Sequence, residues 1–193
     1  MSTRLRCHCG LVEGHVDDQH AYGRAVCYCT DCQAFARFLR RPDEVLNERG
    51  GSDIVATHPQ RVHVSRGFDQ VICMSLSPKG LLRWYTACCR TAIGNTPRDP
   101  KMAYIGLLAD CMPDPAGLDT TFGPARIALK TESARGAVPA TPVATFLGVL
   151  RIMGHVTAAR LGGTYRRNPF FVAGTAEPVK APHVLSKAER QVL

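Results

Sequence analysis

The chain has 193 residues, which is enough for one domain with an appendage. Hydrophobic residues make up 45% of the chain and charged residues 21%, as in an ordinary globular protein with a real core. The formal net charge is +8, but no run of five or more basic residues occurs, and no aromatic-interleaved basic motif of the RNA-binding type. The charge therefore permits a nucleic-acid partner without arguing strongly for one.

Short segments of β-strand character, separated by Gly, Pro and Asn turns, fill the first part of the chain. Residues 5–9 and 11–16 predict a hairpin that carries Cys7 and Cys9 at its tip, and Ala25-Val26 leads into Cys27 as a third strand. The spacing of about eight to twelve residues between strands is typical of an all-β core of twisted antiparallel sheets. Further strands are predicted over 53–57, 61–65, 71–76, 81–86, 91–96 and 103–108.

Helices are predicted at three places. Residues 33–40 form a short helix before Pro42, with Cys32 at its entry, where the helix dipole favours a thiolate. The composition shifts near residue 110, so we expect a β domain over 1–110 and an extension over 111–193 packed on it. The extension contains one strand in 125–131, a long helix over 143–161 and a short terminal helix with Ser186 and Glu189 as its capping box. Six residues of the long helix share one side, expected to pack on the β core or against a second copy: Val143, Phe146, Leu147, Leu150, Met153 and Leu161.

Three thiols fall within the six residues from Cys27 to Cys32, with Cys29 between them. In an extended segment residues i and i+2 point to the same side, and a turn at Thr30-Asp31 brings Cys32 to the same point. Three sulfurs about 2.3 Å from a centre are three corners of a zinc tetrahedron, and the free fourth corner is what distinguishes a reactive site from a structural one. The alternatives are reduced core cysteines or a disulfide, which the strained Cys-x-Cys ring and the odd total of nine cysteines disfavour.

A second set consists of Cys7 and Cys9 with Cys88 or Cys89 far along the chain. A metal held by these residues would join the first hairpin to a strand some eighty residues later. An alternative is one five-thiol site, in which Cys7 and Cys9 join the Cys27 set. The remaining residues of interest are interpreted as structural rather than as ligands: Cys73, Cys111, Trp84 and Tyr85 as core, and His8, His15 and His63 as half-buried strand residues.

These motifs carry a family resemblance. The sequence Cys7-His8-Cys9-Gly10, then the run from Cys27 to Cys32, then a late cysteine followed by Thr91, resembles the glutathione-dependent formaldehyde-activating enzyme family, which shows C-x-C-G, C-x-C-x-x-C and C-x-x-C-G-T. The resemblance covers roughly residues 3 to 110. It implies small antiparallel sheets of the β-tent type, as in centromere-protein-V-like proteins, around a structural zinc.

The resemblance also implies roles for the cysteines. Cys7, Cys9 and the late cysteines would hold the structural zinc. A second zinc would lie on Cys27, Cys29 and Cys32, with the thiol of glutathione as its fourth ligand. Members of that family join glutathione and formaldehyde into S-hydroxymethylglutathione, in the carbon–sulfur lyase class.

The late motif departs from the family pattern, since it is Thr86-Ala87-Cys88-Cys89-Arg90-Thr91. If Cys89 takes the second family position, Thr86 stands where the family has its first cysteine, and Cys88 would substitute as a ligand. Neighbouring strand residues point to opposite faces, so both cysteines can bind one ion only if the backbone turns there. The alternative is three sulfurs plus a histidine or water.

The resulting hypothesis is a zinc-dependent carbon–sulfur lyase-like protein that handles an adduct of glutathione, or another small thiol, with formaldehyde. The alternative is a non-catalytic zinc-binding module for a macromolecular partner such as nucleic acid. No general base can be recognised in the sequence. Reduced, metal-type cysteines and an N-terminus without an apolar segment predict a cytoplasmic protein. Because Arg151 and His155 interrupt the apolar stretch 146–156, no membrane span is expected, and a homodimer is left open.

Overall fold

The computed structural model describes residues 2–19 and 21–193, and it shows the mainly-β protein with C-terminal helices that the sequence predicts. The described residues form two sheets and no closed barrel. The strands are β1 (Ser2–Arg6), β2 (Glu13–Asp17), β3 (Gly23–Cys27), β4 (Ser52–Thr57), β5 (Val62–Arg66), β6 (Val71–Ser75), β7 (Leu82–Thr86), β8 (Ala92–Thr96), β9 (Ile105–Leu108), β10 (Ile127–Leu129) and β11 (His183–Val184). The helices are α1 (Thr30–Phe38), α2 (Pro42–Val45), α3 (Leu118–Phe122), α4 (Pro142–Leu161) and α5 (Lys187–Gln191).

The smaller sheet is antiparallel, with the strand order β1-β2-β5. It confirms the predicted hairpin, whose loop contains Cys7 and Cys9. The pairing between β2 and β5 shifts register beside Gly14. A Cβ atom at Gly14 would collide with the backbone carbonyl oxygen of His63, so the close approach of the two strands requires a glycine there.

The larger sheet has eight strands in the order β10-β3-β4-β9-β8-β7-β6-β11. Its six inner strands are antiparallel, while the two edge strands, β10 and β11, run parallel to their neighbours. β4 pairs with β9 over four residue pairs and so joins two groups of strands into one sheet. Both edge strands come from the part of the chain after residue 110, so the extension is built into the sheet.

The core lies largely between the two sheets and contains Trp84, which is fully buried as predicted. The Trp84 Nε1 donates a hydrogen bond to the Thr96 Oγ1 at 3.0 Å, which satisfies the only polar atom of the indole. The ring of Phe170, from the extension, packs against Trp84 with 4.9 Å between ring centroids. Cys73 and Cys111 are buried in the same core, as predicted for lone cysteines.

The first helix begins earlier than predicted. α1 starts at Thr30 rather than at residue 33, because Cys29 acts as its N-cap: the Cys29 Sγ accepts a hydrogen bond from the Cys32 backbone N–H at 3.4 Å. The capping box of α5 is confirmed, with Ser186 and Glu189 each bonding the backbone of the other. The short elements α2, α3 and β11 are not predicted from the sequence.

The long helix α4 packs against the domain, but through the side opposite to the predicted one. Its buried residues are Val156 and Ala159, and its neighbour is the edge strand β10. We expected the apolar stripe to pack on the β core or against a second copy. The second alternative stays a prediction. The first is wrong, since six stripe residues are exposed: Val143, Phe146, Leu147, Leu150, Met153 and Leu161. By length and composition alone, α4 would also be long and apolar enough to cross a bilayer, contrary to our expectation for 146–156.

Candidate metal centres

Four cysteine sulfurs meet at the point where the two sheets approach each other. Cys7 and Cys9 lie in the loop after β1, and Cys88 and Cys89 lie in the turn between β7 and β8. The Cys7 Sγ lies 3.5 Å from that of Cys9 and 3.8 Å from that of Cys88, and the Cys9 and Cys88 sulfurs are 3.3 Å apart. A zinc tetrahedron with Zn–S bonds of about 2.3 Å has sulfur–sulfur edges of about 3.8 Å. The arrangement is therefore close to the size that a four-thiolate zinc site requires.

The loop that carries Cys7 and Cys9 is a tight turn stabilised by its own backbone. Gly10 has φ +78°, a left-handed conformation that glycine adopts without strain, and its N–H donates to the Cys7 carbonyl oxygen at 2.9 Å. The Val12 N–H donates to the Cys7 sulfur at 3.2 Å. Backbone N–H donors of this kind favour a thiolate over a thiol, as a metal ligand requires.

The two adjacent cysteines can share one site because the backbone turns at that point. β7 ends at Thr86, and the Arg90 N–H donates to the Thr86 carbonyl oxygen at 2.9 Å, which closes the turn around Cys88 and Cys89. Arg90 has φ +57°, a left-handed conformation that residues other than glycine rarely adopt. Thr86 lies beside the cluster, with its Oγ1 3.5 Å from the Cys89 sulfur.

The surroundings shift the pKa values of Cys88 and Cys89 in opposite directions. Burial disfavours the Cys89 thiolate, but hydrogen bonds with the hydroxyls of Thr86 and Thr91 outweigh it and lower the Cys89 pKa to about 5. Burial raises the pKa of Cys88 to about 12 and that of Cys7 above its ordinary value. Only part of the cluster can therefore ionise without a cation, whereas a bound dication would favour all four thiolates.

His8 lies between Cys7 and Cys9 but is held away from the sulfurs. Its Nε2 is 2.9 Å from an Asp110 carboxylate oxygen and 2.8 Å from the Arg41 Nη2. Arg41 also donates to the carbonyl oxygen of Cys89 and to the Thr91 hydroxyl. His8 thus belongs to a polar network that orients the two cysteine loops, and Arg41 brings a positive charge close to them. A groove of about 560 Å³ opens beside Cys7 and His8 and so adjoins this cluster.

A second cluster forms where β3 passes into α1. Cys27 is the last residue of β3, Cys29 is the N-cap of α1 and Cys32 lies in its first turn. The three sulfurs lie within 4.8 Å of one another. Among the residues that the structure describes, no other Cys, His, Asp or Glu joins this group, so it offers three ligands and leaves one position free. The clusters are separate, and the alternative of one five-thiol site does not occur.

Within the three-thiol cluster the surroundings favour one thiolate, that of Cys29. Hydrogen bonds from Cys27 and Cys32 to Cys29, and then the charge of Arg83, lower the Cys29 pKa to about 2. The pKa of Cys27 is raised, first because it donates to Cys29 and also because it is buried. Three sulfurs this close cannot all be thiolates without a counter-charge. A divalent cation bound by all three would supply that charge.

Arg83 and Tyr104 are neighbours of this cluster that sequence reasoning missed. Arg83 is buried on β7, where its Nη1 donates to the Asn95 Oδ1 at 3.2 Å and its guanidinium lies over the Phe35 ring. Burial, followed by the charges of Cys27 and Cys32, raises the Tyr104 pKa to about 12, so the phenol stays protonated. The signal for Arg83 was available: it is the one charged residue in the strand Leu82–Thr86.

The extension forms one wall of the three-thiol cluster. β10 runs parallel to β3 and places Leu129 opposite Cys27, and the Tyr28 N–H donates to the Leu129 carbonyl oxygen at 2.9 Å. On the other side, Arg190 of α5 forms an ion pair with Asp31 at 2.8 Å. Both contacts come from residues after 110, outside the region that carries the family resemblance. They give this cluster surroundings that the motifs alone do not specify.

The fold and its two thiol clusters define a mainly-β protein with cysteine sites suited to binding metal ions. The chain belongs to a family of unknown function, DUF6151, which matches residues 1–180. No curated protein matches it significantly. A crystal structure of a Rhodobacter sphaeroides protein, from Northeast Structural Genomics, is similar at 17% identity, with a TM-score of 0.44 over 60% of this chain and 94% of that one. A likeness of this size defines neither fold nor function.

Proposed function

We propose that this protein binds two zinc ions, one structural and one open to a small thiol such as glutathione. The observation that carries the proposal is the contrast between the two clusters. Cys7, Cys9, Cys88 and Cys89 offer four sulfurs to one ion, while Cys27, Cys29 and Cys32 offer three. Four protein ligands are typical of structural zinc, and three with an exchangeable fourth are typical of reactive zinc.

The donor sets favour zinc over other common ions. Thiolate-only sites select zinc, copper(I) or iron–sulfur clusters, whereas magnesium and calcium prefer oxygen ligands. The four-thiol cluster has the dimensions of a single tetrahedral ion, with sulfur–sulfur distances of 3.3 to 3.8 Å among Cys7, Cys9 and Cys88. Zinc is the abundant redox-inert member of this group and suits a site that has to keep a reactive thiol reduced.

For the reaction, we propose carbon–sulfur bond formation and cleavage between the thiol and formaldehyde. Cys27, Cys29 and Cys32 would hold a zinc ion, and the chemistry that zinc would supply is a lowered pKa of a thiol in the free position. The thiolate sulfur would attack the aldehyde carbon, so that a C–S bond forms while the C=O π bond breaks, and the proton lost by the thiol would end on the former carbonyl oxygen; the lyase direction is the reverse. Because thiols and formaldehyde combine unaided, what this chain supplies is chiefly positioning.

Named residues of this chain would assist. Arg83 offsets negative charge near Cys29 and Cys32. Tyr104, protonated at neutral pH and within electrostatic reach of Cys27 and Cys32, would donate a hydrogen bond from its hydroxyl to a developing oxyanion. Leu129 covers the cluster with an apolar wall that limits access of water. This division of roles matches the activity that the family resemblance implies.

Metal analysis of anaerobically purified protein tests the proposal. We expect two zinc ions per chain, of which a chelator removes one readily unless glutathione is present. Cys29→Ser should reduce the content to one, while Cys73→Ala, which removes a buried thiol outside both clusters, should leave two. Unchanged metal content in Cys29→Ser would contradict the three-thiol site.

Activity is measured separately, by exchange NMR of glutathione and formaldehyde with their adduct. Wild-type protein should accelerate the exchange over buffer, and Cys29→Ser should not. If both zinc ions bind but exchange is not accelerated, the protein is the alternative, a non-catalytic metal-binding module. Salt-dependent binding of DNA would then identify nucleic acid as its partner.

A further inference from the structure

Helix α4 presents a continuous apolar surface to the solvent. Seven of its large apolar side chains are exposed, and Phe146, Leu150 and Leu161 keep 63%, 53% and 85% of their surface accessible. At roughly 150–200 Å² for a fully exposed large residue, these fractions leave about 700 Å² of apolar surface on α4. The largest apolar patch on a typical monomer is about 300–600 Å², and a standard interface buries about 800 Å² per partner. The patch has the area of one side of a stable interface.

The spacing of the exposed residues is that of a helix–helix seam. Val143, Leu147, Leu150, Gly154, Thr157 and Leu161 follow one another at intervals of four and three residues. This is the a/d repeat of a coiled coil, which keeps one stripe facing a second helix. The opposite side of α4 is occupied by its own domain, through Val156 and Ala159. One complete helix face is therefore formed and unpartnered among the described residues.

We infer that α4 pairs antiparallel with α4 of a second copy of this chain, about a twofold axis near Ile152. In this register Leu150 of one copy faces Gly154 of the other, Leu147 faces Thr157 and Phe146 faces Ala158. Each large side chain meets a small one, in both directions, as a self-complementary twofold interface requires. Val143 faces Leu161 at the two ends.

A parallel pair fits less well. Leu150 would then face its own counterpart, and Gly154 would face Gly154, where neither residue fills the space between the helices. Such a gap costs stability, because an apolar void lacks contacts on one side. The antiparallel pair also sets the two helix dipoles in opposite directions. Both effects select the antiparallel register.

A membrane is the other partner to consider for an apolar helix. A crossing helix is incompatible with this fold, since β10 before α4 and β11 after it pair in the same sheet. A helix lying on a bilayer surface normally has a strongly basic polar side, whereas the side of α4 opposite its apolar stripe is packed on the domain. The observations therefore favour a second copy.

Sedimentation velocity of the reduced full-length protein, from low micromolar to about 0.1 mM, tests this inference. Wild-type protein should dimerise, and Leu150→Glu should weaken dimerisation at least about tenfold by burying a charge in the seam. Leu81→Glu, at an exposed leucine on the β6–β7 turn, is the matched control and should dimerise as wild type does. At the lowest concentration, where dimerisation contributes least to stability, the thermal unfolding and the metal content of Leu150→Glu should match those of wild type.

The register is tested by mixing two variants, Leu150→Glu and Gly154→Lys. In the antiparallel pair, Glu at 150 of one chain meets Lys at 154 of the other, so the mixture should dimerise more strongly than either variant alone. A mixture no stronger than its components would overturn the register. Wild-type protein that stays monomeric at the highest concentration, or that is monomeric and sediments with anionic vesicles, would overturn the inference.

Discussion

Cys9 and Cys88 lie 79 positions apart in the chain, yet their sulfur atoms are 3.3 Å apart. Cys9 belongs to the loop after β1 of the small sheet, and Cys88 to the turn that joins two strands of the large sheet. A metal bound at this point would tie the two sheets together and close a segment of 79 residues. Because the metal would close a long segment of chain, it would raise the free energy of unfolding by a few kcal/mol.

The first prediction concerns which late cysteines are ligands. Cys88→Ser and Cys89→Ser should each remove one metal ion per chain and lower the free energy of unfolding, since both sulfurs belong to the four-atom cluster. Elemental analysis and chemical denaturation measure the two effects. Cys73→Ala serves as the control and should retain full metal content. A Cys89→Ser protein with two tightly held ions would show that Cys89 is only a neighbour of the site.

Much of this cluster could be predicted from short-range signals. The motif Cys7-His8-Cys9-Gly10 specifies its own turn, because the glycine accepts a left-handed conformation that other residues avoid. The sequence named both Cys88 and Cys89 as candidates but left open whether both lie in one cluster, since this depends on where β7 ends. The residue that closes this turn, Arg90, is not one that the sequence marks for positive φ.

The second prediction concerns Arg83, beside the three-thiol cluster. Arg83→Met removes a buried positive charge, so metal should be lost from this cluster at a chelator concentration about tenfold lower. Arg83→Lys keeps the charge, so the chelator concentration at which it loses this metal should lie between those of Arg83→Met and wild type. Metal in the four-thiol cluster should be unaffected in both variants. Equal loss from both clusters would mean that Arg83 supports the fold and not the site.

The features that the sequence leaves open are mainly contacts between residues far apart in the chain. The apolar stripe of α4 was predicted correctly as a set of residues that share one side, but a periodic pattern does not say whether that side faces the core or another molecule. In the same way, 125–131 was predicted as a strand, but its parallel pairing with β3 beside Cys27 brings together residues 102 positions apart, as in Leu129 opposite Cys27. Arg83 and Tyr104 approach the cluster only through such pairings.

The third prediction concerns the close approach of β2 and β5. Gly14→Ala should lower the free energy of unfolding by about 1–3 kcal/mol, because the added methyl group meets the His63 carbonyl oxygen of the neighbouring strand. The matched control is Gly154→Ala, which adds the same group in open space on a helix and should raise stability by up to about 1 kcal/mol. Denaturant unfolding at low protein concentration separates the two. Equal stability of the two variants would contradict the strand geometry.

The last prediction is a pH effect at His58, a buried residue that caps the turn Pro59–Arg61. Its Nδ1 accepts a hydrogen bond from the Gln60 N–H at 3.1 Å, and its Nε2 lies 3.3 Å from the Thr164 hydroxyl of the extension. Burial, followed by the charge of Arg61, lowers the His58 pKa from about 6.5 to about 4. The folded protein therefore holds this imidazole neutral at pH values where the unfolded chain protonates it.

The direction in which stability changes with pH follows from proton linkage. Between pH 6.5 and pH 4 the unfolded state binds one more proton at His58 than the folded state, so the stabilising contribution of the neutral imidazole is complete above pH 6.5 and is lost as the pH falls toward 4. One proton gives a slope of at most about 1.4 kcal/mol per pH unit.

His58→Asn keeps a side-chain acceptor for the Gln60 N–H but removes the titrating group, so its stability should decline less steeply over this range. Denaturant unfolding at several pH values measures the difference in unfolding free energy between wild type and variant. Loss of metal from the cysteine clusters in acid affects both proteins equally, so it cancels in this difference. Parallel curves for wild type and variant would show that His58 is protonated to the same extent in both states.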